Sequence, residues 1–440
     1  MARELIRLDN KHISVEQMKM SIDRVLECYI RNMPNPPSPL IENYLREVGF
    51  WYVATKGRGC KLDPKLISAL IERWRPETHT FHLPCGECTI TLQDVHLQLG
   101  LSVDGYAVTG SASSSDWSTL RDTFPEPDND STEFERIRYA RAYILEIIGG
   151  YLMPDLSRNL VHLRWLLKLV DFRAAGELSW GSAMLAKLYK EMCGATLPNK
   201  AKIGGCLSLL QSWARFRFPF LCPRVDHPYT FPLITRWNCS ASYVGIPNSL
   251  EDIRLLLDQR SDTQFEWTPY DDPAIRAVIS DEYVQNPNAW HVKVSLVNYA
   301  TVEMHQSDRV LQQFRFRQPI PVAPEVFDEE HKVDLRLLNM DWLTYWLGYI
   351  EMWENQYDYI PTREPIIVLE GDATTNSCSK GTTGPFKSKK KGRRRRPINS
   401  VHTISRPINS AHTISKPINS AATITGPNSS TDDTHITAFS

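Results

Sequence analysis

The chain has 440 residues, 42% of them hydrophobic and 23% charged, with 12 Trp, 29 Pro and a formal net charge of −1. Those fractions describe a globular protein with a sizeable core and exclude a collagen, a coiled-coil rod and a wholly disordered chain. The near-neutral charge averages two unlike parts: residues 371–440 hold 11 Lys and Arg against 3 Asp and Glu, which is +8, and residues 1–370 hold 39 basic against 48 acidic side chains, which is −9.

The first helix is predicted over residues 13–30, where Val15, Met18, Ile22, Val25, Leu26 and Tyr29 share one face and Ser14 is placed to cap it. The Pro-rich run 33–40 forces an extended break, and residues 40–54 resume as helix. After the turn Lys56–Cys60, Asp63 and Pro64 open a further helix as cap and first residue. Residues 78–91, THTFHLPCGECTIT, alternate polar and apolar around Pro-Cys-Gly-Glu, which reads as a hairpin with Gly86 at the turn. Thr91 then starts the helix LQDVHLQL, and Gly100 stops it.

Residues 111–132 read as an exposed loop. Helices are expected at 133–148, 158–172, 179–193, 202–214 and 249–260, punctuated by Gly149-Gly150, Gly176, Gly194 and the Pro-rich stretch 217–250. Two β-rich runs flank Asn298, and Ser307-Asp308 is read as the cap of a short helix, RVLQQF. In the last helical stretch Trp342, Trp346, Ile350 and Trp353 fall on one face. The fold class is therefore mainly α with a minor β component, an α+β body of one large helical domain with short β-hairpins. The body is placed at residues 1–365 and a disordered, basic, low-complexity tail at 366–440. In that tail, ten-residue units beginning PINS recur at Pro397, Pro407 and Pro417, with a decayed copy at Pro427.

Nine Cys, an odd count spread from Cys28 to Cys378, do not form the pattern of a secreted disulfide framework, and no apolar leader or membrane-spanning run is visible. The expected compartment is reducing, cytosol or nucleus, with no membrane partner. The run His79, His82, Cys85, Cys88 offers zinc-type ligands, but all four lie within ten residues of one hairpin, where residues three apart point to opposite faces. Hairpin packing is the preferred reading, with no metal, no cofactor and no catalytic residue assigned. Adjacent acids such as Asp271-Asp272 do not converge, Glu87 is read as settling the turn and Asp94 as suiting the first turn of its helix. Phosphate-binding glycine motifs and the G-x-S-x-G elbow are absent from these residues.

The strongest local signal is KSKKKGRRRR, in which Lys387, Lys389, Lys390, Lys391, Arg393, Arg394, Arg395 and Arg396 are basic. Such a block is a ligand for a nuclear-import receptor or a phosphate-contact patch. Without interleaved aromatics, any nucleic-acid contact through it is expected to be weak, nonspecific and salt-sensitive.

Residues 81–110, FHLPCGECTITLQDVHLQLGLSVDGYAVTG, resemble the plant mobile domain family, as do the segments ENYLREVGFWYVA, LLQSWARFRFPF and VEMHQSDRVLQQF. The resemblance covers about residues 5–365. That family includes the meristem-maintenance, MAIN-like proteins, is found within transposable elements, and occurs in long-form homologues of plant serine/threonine phosphatase 7. By this resemblance His82, Gly86, Glu87, Leu92 and Asp94 are motif positions, with structural roles. Cys88 departs from the Met usual in the family's G-E-M-T run. The metal-ligand segments of metallophosphatases are missing here, so the phosphatase name carries no phosphatase activity over. What the resemblance implies is a non-enzymatic nuclear protein, with nuclear proteins as partners, connected with meristem maintenance, genome stability and silencing of transposable elements. The alternative is a domesticated transposon-derived enzyme acting on nucleic acid through an unrecognised carboxylate site.

Overall fold

In the computed structural model, the residues described are 12–14, 23–30, 36–56, 61–109, 114–116, 126–154, 160–162, 164–259, 264–324 and 341–366. They all belong to the unit Met1–Leu369. The tail from residue 367, with its basic run and decapeptide repeats, lies outside the described residues, as does the central part of the first predicted helix, 15–22.

The chain is mainly helical with small sheets, as the periodicity predicts. Residues 23–30 differ: none of them is helical, and β1 (Glu27–Cys28) pairs in parallel with a strand at Lys202–Ile203. The backbone N–H groups there bond outward, Leu26 to Ser68 Oγ at 2.9 Å and Glu27 to the Ala201 carbonyl at 2.7 Å. Those tertiary partners override the helical periodicity and leave Val25 42% exposed. The helix predicted over 40–54 is two pieces, α1 (Glu42–Glu47) and α2 (Trp51–Lys56), because Gly49 turns the chain at φ +81°.

α3 (Pro64–Ile71) begins as predicted. Asp63 accepts from the backbone of Lys65 and Leu66 at 3.0 and 3.2 Å, and Pro64 needs no N–H there. A three-stranded antiparallel sheet follows, β2 (Trp74–Arg75), β3 (Thr80–Leu83) and β4 (Gly86–Cys88), and then α4 (Leu92–Leu99). Gly100 ends α4 at φ +68°, where an added Cβ would lie 3.0 Å from the Tyr52 side chain.

β5 (Ser114–Asp116) lies inside the stretch read as a loop and pairs antiparallel with β6 (Leu160–His162). Between them α5 (Glu133–Glu146), closed by a Thr132–Glu135 capping box, runs through Gly149-Gly150 as a wider turn, Ile147–Leu152, rather than stopping there. The helix expected at 158–172 is instead β6, α6 (Arg164–Lys168) and, capped by Asp171, α7 (Phe172–Gly176).

α8 (Trp180–Ala195) is the central helix, with twelve of its sixteen residues buried. Gly181 allows its first turn to lie against residue 102; a Cβ there would meet the Ser102 carbonyl at 2.5 Å. β7 (Lys202–Ile203) replaces the first part of the helix predicted at 202–214, and α9 (Leu207–Arg217) follows. β8 (Arg224–Val225) pairs with β9 (Ala241–Ser242), and α10 (Leu250–Gln259) and α11 (Pro273–Arg276) complete this side. β10 (Val294–Asn298) and β11 (Thr301–His305) form the predicted hairpin, with every residue buried; α8 packs against both strands and the C-terminal helix α13 (Leu347–Glu354), which follows α12 (Trp342–Tyr345), packs against β10. Ser307–Arg309 and Leu311–Phe314 form two short 3-10 turns instead of one helix.

Tryptophan anchors this core. Trp74, Trp180, Trp213, Trp342 and Trp353 are all under 2% exposed, and Trp346 and Ile350 are also buried, as the one-face reading requires. Each such ring removes about 150–250 Å² from water, a gross gain of roughly 4–6 kcal/mol before the entropy of ordering it. Among the described residues, no helix is long and apolar enough to cross a membrane.

Candidate interaction site

The hairpin β3–β4 places the motif residues. Its register pairs Phe81 with Cys88, His82 with Glu87 and Leu83 with Gly86. Gly86 has φ +127°, which side-chain-bearing residues rarely adopt. Strand alternation buries Phe81, Leu83 and Cys88 on one face and sets His82 and Glu87 on the other. Glu87 settles more than a turn. Its two oxygens accept from Arg309 Nε at 2.7 Å and Nη2 at 2.8 Å, and Thr80 Oγ1 donates at 3.0 Å. Burial pushes the Glu87 carboxyl up, but the hydrogen bonds and charge of Arg309, with the Thr80 hydroxyl, outweigh it and hold the group below the usual range. Burial lowers His82 to about 4 against the pull of Glu87, so its ring is neutral at pH 7.

Asp94 sits at the start of α4, as predicted, and is fully buried. One oxygen closes a capping box, accepting from Thr91 N at 2.8 Å and Thr91 Oγ1 at 2.7 Å. The other accepts from Arg217 Nη2 at 3.1 Å and the Tyr270 hydroxyl at 2.6 Å. Arg217 also donates to the Trp267 carbonyl, and Gln98 Nε2 donates to Tyr270 Oη at 2.7 Å. α4, α9 and the 266–270 segment are thus pinned at one buried charge pair. Leu92, the remaining motif position, is in the core.

The His79/His82/Cys85/Cys88 run does not converge. His82 faces Glu87, Cys85 lies on the turn and Cys88 is packed in the core. His79, at φ +50°, instead meets Glu303 of β11, Nε2 to Oε2, at 2.7 Å. Its ring stacks on Tyr189 with centroids 5.2 Å apart. The ligand atoms of His79, Cys193 and Glu303 lie within 4.8 Å of one another. Each of the three is engaged: Trp74 Nε1 donates to Cys193 Sγ at 3.3 Å, and Lys190 Nζ stands 4.0 Å from Glu303. Burial raises the Cys193 thiol well above its usual value. The cluster ties the β2–β3 turn to α8 and β11.

Two surface cavities lie beside this framework. One of about 780 Å³ is lined by Arg215, Arg224, Tyr229, Arg236, Trp237 and Arg315 among others. A second, about 700 Å³ and more apolar, is lined by Val25, Leu66, Leu221, Tyr243 and Ile246. Arg215 lines both. Its guanidinium lies 5.1 Å from the Trp237 ring, and that of Arg236 lies 3.9 Å from the Tyr229 ring. Sequence reasoning did not single these arginines out. The local signal is WARFRF at 213–218, where aromatic and Arg residues interleave at the end of a helix. The basic residues Lys387–Arg396 lie outside the described residues.

A family model for the plant mobile domain matches residues 50–366. The chain belongs to the plant mobile domain family. Within it, the Arabidopsis thaliana serine/threonine-protein phosphatase 7 long form homolog is 37% identical over 368 residues, 75% of this chain and 27% of that protein. Protein MAIN-LIKE 1 of the same plant is 32% identical over 72% of this chain and 66% of its own length. Protein MAINTENANCE OF MERISTEMS is 31% identical over 74% and 73%. The chain thus spans about a quarter of the first relative, and no solved structure matches this plant mobile domain protein.

Proposed function

We propose that this plant mobile domain chain is a non-enzymatic nuclear protein that works through protein contacts, in meristem maintenance, genome stability and silencing of transposable elements. The meristem assignment is carried over from the name of one relative. One observation supports the mode of action. The ionisable motif groups Glu87 and Asp94 and the His79–Glu303 pair are tied into buried or half-buried contacts between elements, and the acids that line the arginine-rich cavity, Glu266, Asp271 and Asp272, do not bring their oxygens together as a metal site requires. Metal-dependent phosphodiester chemistry needs acids that converge in an accessible cleft. Among the described residues, the one group of three His, Cys, Asp or Glu with ligand atoms in reach of one another is buried.

The basic run Lys387–Arg396 is assigned the nuclear address, read by an import receptor, with weak nonspecific nucleic-acid contact as its second capacity. The test is the full chain fused to a fluorescent protein in plant cells, beside a form with Arg393–Arg396 replaced by Ala. Nuclear signal lost in the variant is the expected result; unchanged nuclear signal refutes the assignment. For the mode of action, purified full chain is incubated with single- and double-stranded nucleic acid and Mg²⁺ or Mn²⁺. Intact substrate is expected, and cleavage that tracks the protein through purification would install the enzyme reading.

A further inference from the structure

Arg215 is only 5% exposed, and its Nη1 is buried without a hydrogen-bond partner. Among the described residues, its one hydrogen bond to a side chain, from Nη2 to the Tyr243 hydroxyl, is long at 3.5 Å. Among the described residues, no carboxylate forms an ion pair with Arg215, Arg224 or Arg236, although three acids line the same cavity. Each of those acids has a contact other than these three arginines, one of them with Arg315 of the same cavity. Asp271 pairs with Arg315 at 2.6 Å, Asp272 caps α11 through Ala274 N at 2.7 Å, and Glu266 accepts from Thr268 N at 3.4 Å. Burying a guanidinium with an unused donor is costly, and an acceptor placed against it would offset that cost.

The neighbouring cavity gives the rest of the occupant. Its wall is mainly apolar, and Val25 and Tyr243 are exposed at 42% and 55% beside it. Lys61 and Lys65 stand at its edge, and Asp63 there is occupied as the α3 cap. With Arg215 as the shared wall, an acceptor group in the first cavity and an apolar group in the second lie next to each other. Each volume falls in the range that holds small ligands or a few side chains.

We propose that the double cavity docks a short segment of a partner protein in which an Asp or Glu side chain, seated on Arg215 and Arg236, neighbours an apolar side chain seated against Leu66, Leu221 and Ile246. Nucleic acid fits less well. Residues 1–370 carry a net −9, and the rings of Trp237 and Tyr229 that would stack on bases are already covered by Arg215 and Arg236. The inference rests on the reading of the chain as an interaction module, and goes further by naming the surface and the chemistry of the partner.

The test pans a random dodecapeptide display library on the purified full chain, with Arg215→Met as a parallel bait that keeps the stem packed on Trp237. Enriched peptides should carry Asp or Glu within a few residues of Leu, Ile, Phe or Trp. Synthesised with a fluorescent label, they should bind the wild-type chain about tenfold more tightly than Arg215→Met or Ile246→Asp, and more weakly as salt rises. Arg236→Gln, at a half-buried position, supplies the same readout should Arg215→Met lower the thermal midpoint. Enrichment without acidic residues, equal binding to the variants, preference for phosphoserine in place of the acid, or displacement by a 12-nucleotide oligo-U RNA would each overturn the proposal. Nuclear proteins co-purifying equally with wild-type and Arg215→Met chains would remove the double cavity as the docking site and leave the interaction module standing.

Discussion

Replacing Asp94 with Ala strips four hydrogen bonds from one buried carboxylate and leaves Arg217, also 0% exposed, without its counter-ion. Breaking a buried pair from one side destabilises by about 3–5 kcal/mol, because the surviving charge stays desolvated. Loss of the capping box adds about 1 kcal/mol, so the substitution removes a large part of the stability of an ordinary domain, about 5–15 kcal/mol. The Trp267 carbonyl still accepts from Arg217 and softens the loss, which places the expectation near 4 kcal/mol. Urea unfolding of the full chain, followed by tryptophan fluorescence, measures it as a fall in midpoint at constant slope. Thr91→Ala isolates the cap and should lose only about 1 kcal/mol. Adding Arg217→Met to Asp94→Ala should recover part of the loss, because the stranded charge is gone. A loss below about 1 kcal/mol for Asp94→Ala, or a double variant at or beyond the sum of the two singles, would refute the buried-pair account.

Burial depresses His82, His96 and His291 to about 4 and His305 to about 3. The unfolded chain takes up protons at these sites near the ordinary histidine pKa of about 6.5 while the folded chain does not, so stability should fall as pH drops from there towards about 4, by about 1.4 kcal/mol per pH unit for each histidine. Urea midpoints at several pH values check this, and a flat profile would contradict it. Arg309→Lys exchanges the two-pronged contact with Glu87 for a point charge and should reduce stability by about 1 kcal/mol in the same unfolding assay. Gly181→Ala drives a Cβ to 2.5 Å from the Ser102 carbonyl and should destabilise by more than about 2 kcal/mol, whereas at Gly194 nothing lies within 4 Å and Ala should be neutral or stabilising by up to about 1 kcal/mol. Thermal midpoints of the two variants separate these outcomes.

Local chemistry made some of the fold legible in the residues alone. Asp63-Pro64, Thr91 through Asp94 to Gly100, and the alternation around Pro84–Gly86 each declare an element boundary through groups within a few residues of it. The same logic failed where distant partners decide. Residues 23–30 have helical periodicity but bond to Ser68 and Ala201, far along the chain. Residues 202–214 begin as a strand because that strand pairs with β1. The motif was visible as a motif, yet its partners were not: Glu87 to Arg309, His79 to Glu303 and Asp94 to Arg217 span 123 to 224 positions. Strand alternation, which in the sequence already argued against one shared ligand for the HxxHxxCxxC run, sends those side chains to different neighbours. Arg215 was the hardest to foresee, since an arginine in the last turn of a helix ordinarily reads as a solvated charge or a response to the helix dipole.

The most direct test of the interaction account is quantitative affinity purification from plant nuclei, with the tagged full chain compared against the tag alone. A reproducible set of nuclear proteins retained by the chain is the expected result. A chain that enters nuclei and retains nothing above the tag would contradict the account.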